Sequence, residues 1–183
     1  MEIYYDTEFL ENGETIRLIS IGMVREDNQE YYAVVDDLEL IKDAAKNMWI
    51  RANVLPYLPL AQPIDPKFPV WDESHPDYAN VKSRSEIAKE VLDFVVEYAN
   101  PSLWAYFAAY DHVVLAQLYG RMIDMPFVQR TNDVAQEMER LGYNPGRKND
   151  SKHNALADAR EVKWMREKIA MFEALNILAN GGK

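Results

Sequence analysis

The sequence predicts an α/β fold, with a mixed central sheet that starts as an antiparallel three-stranded meander and is flanked by helices. Three observations carry that expectation. The chain opens with segments rich in aromatic and β-branched residues that are separated by turn signals. Later segments repeat apolar residues at helical spacing. Between two of these lies a short apolar run, Leu103 to Ala109, so helix and strand alternate after the meander.

Taken in order, Ile3 to Phe9 is a strand, Asn12-Gly13 a turn, and Thr15 to Val24 an alternating apolar and polar strand. Asn28-Gln29 then leads into a third strand, Tyr31 to Val35. From Leu38 to about Leu58, the residues Leu38, Ile41, Ala45, Met48 and Trp49 recur at helical spacing, and Pro56 and Pro59 close the segment, which predicts one helix. Residues 59–80 contain Pro59, Pro63, Pro66, Pro69 and Pro76 with little periodicity, and read as a long surface connection.

Ser83-Arg84-Ser85-Glu86 is a capping box. Ile87, Val91, Phe94, Val95 and Tyr98 mark the apolar face of the helix it opens, which ends near Asn100-Pro101. Leu103 to Ala109 reads as a buried strand, Asp111 to Tyr119 as a helix stopped by Gly120, and a further helix runs from about Asn132 to Gly142. Asn144 to Lys152 is a loop made basic by Arg147, Lys148 and Lys152. A long final helix spans about Asn154 to Asn176.

At 183 residues, 48% of them hydrophobic, the chain suits one domain, residues 1–183, with a substantial core. It has no apolar run long enough for a membrane span and no secretory pattern at its start, so a cytoplasmic protein without membrane contact is expected. With no cysteine, disulfides, thiolate nucleophiles and Cys-based zinc sites are excluded, and any metal must sit on oxygen or histidine. The net charge of −10 argues against broad attraction to duplex nucleic acid. An active site that holds divalent cations is itself rich in carboxylates, however, and bound cations reverse the local field.

Three places could carry chemistry. Asp6 and Glu8, two apart on the first strand, project from one face as paired carboxylates. Their repulsion calls for a positive partner such as a hard divalent cation, although a lone Asp-x-Glu is more often a solvated acidic edge. Asp111 stands where an apolar strand gives way to a helix, a common ligand position in α/β sheets; helix capping is its ordinary alternative. His153 and Asp158, five apart, would lie on different sides of a regular helix and converge only if His153 sits at or just before the helix start, with Asn154 as the cap. A surface histidine near an exposed helical aspartate is the plainer alternative.

Together, Asp6-Thr7-Glu8, Asp111 and His153-Asn154-Ala155-Leu156-Ala157-Asp158 resemble, in type and order, the three motifs of the DEDDh 3′-5′ exonucleases, a superfamily with a ribonuclease H-like fold. The Asp-Thr-Glu-Phe opening, Trp104-Ala105-Tyr106 leading to Ala109-Tyr110-Asp111-His112, and Lys152 to Asp158 are similar to the small bacterial and phage 3′-5′ exoribonucleases, of the scale of ribonuclease T. One departure is the approach Phe107-Ala108-Ala109-Tyr110, where many relatives carry an asparagine shortly before the aspartate.

The resemblance implies that Asp6, Glu8, Asp111 and Asp158 hold two divalent cations, Mg2+ or alternatively Mn2+, and that His153 takes the proton from the attacking water. It also implies that the substrate is the 3′ end of RNA, single-stranded or overhanging. Thr7 and Phe9 are expected to contact the terminal nucleotide, although a residue placed like Phe9 is more often core, and Lys148 and Lys152, with Arg147, the backbone phosphates, a solvated loop being the equal alternative. Aromatic-rich strands and dimeric relatives suggest a homodimer. Two other readings stay open: a DNA-directed or proofreading-type exonuclease, which no motif distinguishes, and a noncatalytic interaction protein on the same fold.

Overall fold

The computed structural model describes residues 1–97, 100–148 and 153–179. Its centre is a six-stranded mixed sheet in the order β4-β3-β2-β1-β5-β6. Strands β1 (Glu2–Glu11), β2 (Ile16–Arg25) and β3 (Glu30–Val35) form the expected antiparallel meander. The first turn is set by Asn12, whose side chain accepts from the backbone of Glu14 and Thr15, with Gly13 at φ 86°. Parallel strands extend both sides: β4 (Val81–Lys82) beside β3, β5 (Ser102–Ala105) beside β1, and β6 (Thr131–Asp133) beside β5.

The two faces of β1 separate two packing layers, as the pleat requires. Ile3 and Tyr5 pack with Ile87, Val91 and Val95 of α3 (Arg84–Val96) and with Val114 and Leu115 of α4 (Ala109–Gln117). Tyr4, on the other face, packs with Val134 and Met138 of α5 (Val134–Leu141) and Val162 and Met165 of α6 (Ala155–Ala179). Near the meander this second face is covered by α1 (Leu38–Ala44) and α2 (Met48–Asn53), through Leu40, Ile41 and Ile50 against Ile19, Tyr32 and Val34. A mixed sheet with an antiparallel meander and helices on both faces is the α/β architecture expected from the sequence.

Several boundaries differ from expectation, each for a local reason. The single helix predicted over 38–58 is two helices and a 3-10 turn (Leu55–Tyr57), because the Asn47 side chain accepts from the backbone of Trp49 and Ile50 and caps a new start. The middle strand stops at Ala105 rather than Ala109. Phe107 there takes a left-handed φ of 55°, and its N–H, with that of Ala108, donates to the Asp133 carboxylate. Asn132 lies in β6, and α5 begins after it, capped by Asp133. The predicted capping box of Ser83 and Glu86 is present, while Tyr98, expected on that helix face, lies outside the described residues. Residues 59–80 contain a β-bridge between Leu60 and Trp71, and the Trp71 indole donates to Asp36. Among the described residues, no helix is long and apolar enough to cross a membrane.

Candidate active site

Asp6, Glu8 and Tyr4 share the β1 face that meets α6, while Thr7 points to the α4 side. The β1–β2 pairing runs Glu8 with Ser20 and then Phe9 with Leu18, skipping Ile19, so a bulge follows the carboxylate pair and re-aims the strand end. Asp6 pairs with Gly22. A Cβ on Gly22 would lie 2.3 Å from the backbone carbon and oxygen of Ala155 and from the nitrogen of Leu156. The first turn of α6 therefore rests directly on the sheet beside Asp6, and only glycine leaves room for it.

That contact delivers Asp158. Asn154 caps α6, its side chain accepting from the Ala157 N–H at 3.1 Å. His153 stands just before the helix, as its spacing from Asp158 requires, in a left-handed conformation with φ 55°. Glu8, His153 and Asp158 each present a ligand atom within 4.8 Å of the others'. Asp158 is buried, and its Oδ1 has no hydrogen-bond partner among the described residues.

Asp111 approaches from the other side. It is the third residue of α4 rather than the cap, which is Ala108 and carries no capping bond. Its Oδ1 accepts from the Thr7 N–H at 2.9 Å and from the Thr7 hydroxyl at 2.6 Å. The adjacent His112 turns away, to the Tyr5 hydroxyl and the Gln129 carbonyl.

Asp6, Thr7, Glu8, Phe9, Asp111, His153 and Asp158 line one open cleft of about 360 Å³, together with Trp49, Tyr106, Phe107, Tyr110 and Arg147. Phe9 is partly packed into the core, and its ring stacks on Tyr110 with centroids 6.0 Å apart. Lys148 is exposed and does not line the cleft; Lys152 lies outside the described residues.

Crowded carboxylates resist ionisation. Burial, then the charges of Asp111, Glu8 and Asp158, push the Asp6 carboxyl well above its ordinary range, with Arg147 opposing. Burial and the charges of Asp158 and Asp111 raise Glu8 to about 9. Burial raises Asp111 to about 6, although its bonds from Thr7 pull the other way. In each of the three the cost of burying the charged form comes first. Hard oxygen donors in this number suit magnesium or manganese, which would take the place of the protons.

Sequence reasoning passed over three contributors. Trp49, one of the apolar residues that recur at helical spacing, is half-exposed and meets the His153 ring edge-on, with centroids 4.6 Å apart. Nothing in the sequence links those two residues. Gly22 did leave a signal, since an isolated glycine inside a strand marks close backbone approach. The third is the buried Glu161 of α6, three residues after Asp158.

The family resemblance is independently supported. Two proteins named 3′-5′ exoribonuclease, Rv2179c and MT2234.1 from two strains of Mycobacterium tuberculosis, are each 40% identical to this chain over 167 residues, covering 88% of this chain and 88% of theirs. Among solved structures, S. pombe Pop2p in its Mg2+- and Mn2+-bound form aligns with a TM-score of 0.48 and 10% identity, over 92% of this chain and 82% of that one. The 3′-5′ exoribonuclease Rv2179c-like domain matches residues 1–170, and the chain belongs to this family.

Proposed function

We propose that this chain, acting as a single exonuclease domain in the cytoplasm, removes nucleoside 5′-monophosphates from the 3′ ends of single-stranded or overhanging RNA by hydrolysis with two divalent cations. The observation that carries this reading is the convergence of Asp6, Glu8, Asp111, Asp158 and His153 on one cleft, from β1, α4 and α6. The names of its relatives support the polarity and the substrate.

Asp6, Glu8, Asp111 and Asp158 would hold the cations, Mg2+ or Mn2+. The Oδ1 of Asp158, which accepts no hydrogen bond among the described residues, and the raised proton affinity of Asp6, Glu8 and Asp111 suit such a donor set. The cations would acidify an attacking water and offset charge on the phosphate and the departing 3′ oxygen. Thr7 fixes the Asp111 carboxylate through two donated hydrogen bonds. His153 accepts the water's proton at an imidazole nitrogen, as a general base set beside Glu8 and Asp158. The edge contact from Trp49 limits rotation of that ring. Phe9 and Tyr110 offer a stacked aromatic wall on which a terminal base can rest with little regard to its identity.

A noncatalytic binding protein would gain nothing from holding four repelling carboxylates beside an imidazole. A DNA-directed enzyme would share this geometry and differ in its tolerance of a missing 2′-hydroxyl. The test is to incubate 5′-labelled RNA and DNA oligomers, with free or blocked 3′ ends, with Mg2+, Mn2+ or chelator. The expected result is an RNA ladder that shortens from free 3′ ends only when cation is present. Equal loss of blocked strands, activity in chelator, or no loss of RNA contradicts the reading.

A further inference from the structure

Arg147 is the one lysine or arginine among the described residues lining the cleft. One guanidinium nitrogen lies 3.9 Å from Asp158 Oδ1, at the outer limit of an ion pair, and the group sits 5.8 Å from the centre of the Tyr106 ring. The Arg147 side chain is 55% exposed. It is thus held loosely at the mouth, between an aromatic face and a carboxylate that the proposed function assigns to a cation.

The loop carrying it is pinned one residue further on. The Lys148 N–H donates to Oε1 of Glu161, a carboxylate that is only 2% exposed and belongs to α6. Its other oxygen has no partner among the described residues. A buried carboxylate is costly unless it is paired or hydrogen-bonded, and the Lys148 N–H gives Glu161 such a bond. Glu161 follows Asp158 by three residues on the same helix, so one face of α6 sets both a cleft carboxylate and the backbone beside Arg147. On the loop's other side, Gly146 takes φ 77° and its N–H donates to the Asn144 side chain, which shapes the turn into Arg147.

We propose that Arg147 is a substrate-binding residue that grips a phosphate of the RNA 3′ end, and that Glu161 is the positioning residue that holds Arg147 at the cleft. This rests on the exoribonuclease reading above. With Asp158 held as a cation ligand, the Arg147 guanidinium, only 3.9 Å from its Oδ1 and 55% exposed, would be free to turn to the incoming phosphodiester. Its planar fork then matches two non-bridging phosphate oxygens, which a lysine cannot do. In a chain of net charge −10, this arginine gives the strand end an attraction at the cleft that the net charge opposes.

The experiment compares wild type, Arg147→Ala, Arg147→Lys, Glu161→Ala, Glu161→Gln and the double alanine variant. KM and kcat are measured on an oligoribonucleotide with Mg2+, binding of the same labelled RNA is followed by anisotropy with Ca2+, and cation affinity by calorimetry. Arg147→Ala is expected to raise KM and the RNA dissociation constant about 10- to 100-fold, as for loss of a charged hydrogen-bonding group. It should also reduce the salt slope of binding by about one, with kcat within about threefold and cation affinity not weakened. Arg147→Lys should recover only part of this. Glu161→Ala should reproduce the KM change, the double variant should be no worse than Arg147→Ala, and Glu161→Gln, which keeps an acceptor for the Lys148 N–H, should restore it. Unchanged KM and RNA binding in Arg147→Ala overturn the role of Arg147. A Glu161→Ala variant that melts earlier but keeps wild-type KM overturns the role of Glu161. Wild-type protein that neither binds nor shortens RNA overturns the functional reading itself, and this inference with it.

Discussion

Gly22 of β2 and Ala155 of α6 are in backbone contact so close that a single added methyl group would overlap three main-chain atoms, each at 2.3 Å. Because Gly22 is paired with Asp6, this contact sets how the His153–Asp158 segment meets the strand carboxylates. Gly22→Ala is expected to lift the start of α6. A shift of about 1 Å at reacting groups costs on the order of 100-fold in rate, and overpacking costs about 1–3 kcal/mol in stability. Activity assays and thermal melting with and without Mg2+ check this; a variant with wild-type turnover would show that the contact does not position the site.

Thr7 and Asp111 form the second link between motifs distant in sequence. Thr7→Val keeps the backbone donor and removes the hydroxyl, so Asp111 loses one of its two bonds from Thr7. A lost bond of this kind is worth about 1–1.5 kcal/mol, or roughly tenfold in turnover. Thr7→Ser should recover most of the activity. Steady-state kinetics of the two variants decide the point, and wild-type turnover in Thr7→Val with the loss confined to Thr7→Ser would mean that the methyl group matters rather than the hydroxyl.

Removing the imidazole separates proton transfer from cation binding. His153→Ala is expected to lower kcat by about two to four orders of magnitude while the cation-induced rise in melting temperature remains. Near-normal turnover would remove His153 from the mechanism.

The carboxylates also make stability depend on pH, with a definite sign. Glu8, ordinarily near 4.5, is raised to about 9 when folded, and Asp111, ordinarily near 3.8, to about 6. The folded protein therefore binds more protons than the unfolded chain across these windows, and its stability without cations declines as pH rises through them. Divalent cations replace the protons, so their stabilising effect should grow from pH 5 to pH 9 and their binding should release protons. Melting curves in chelator and in Mg2+ across that range test this. A cation effect that is flat with pH would show that these carboxylates are not where the cations bind.

Much of the arrangement was legible in the sequence because it rests on local rules. The pleat alone puts Asp6 and Glu8 on one face, and the five-residue spacing alone requires His153 to stand before its helix. Features that depend on distant partners were not legible. The two-residue strand β4 and three-residue β6 exist only through parallel pairing with β3 and β5, and segments so short carry no periodicity. The overrun of the middle strand has the same origin, since its stop depends on Asp133, more than twenty residues later. Trp49 and Glu161 joined the site's surroundings for this reason too: a tryptophan at helical spacing and a glutamate on a long helix look ordinary until the chain brings His153 and Lys148 against them.

The most direct test of the central claim, that these distant carboxylates form one cation-holding pocket, is anomalous diffraction from crystals soaked in Mn2+. Two manganese peaks within the cleft bounded by Asp6, Glu8, Asp111 and Asp158 are expected, and both should disappear in Asp6→Asn crystals. Manganese peaks elsewhere, with the cleft empty at saturating Mn2+, would contradict it.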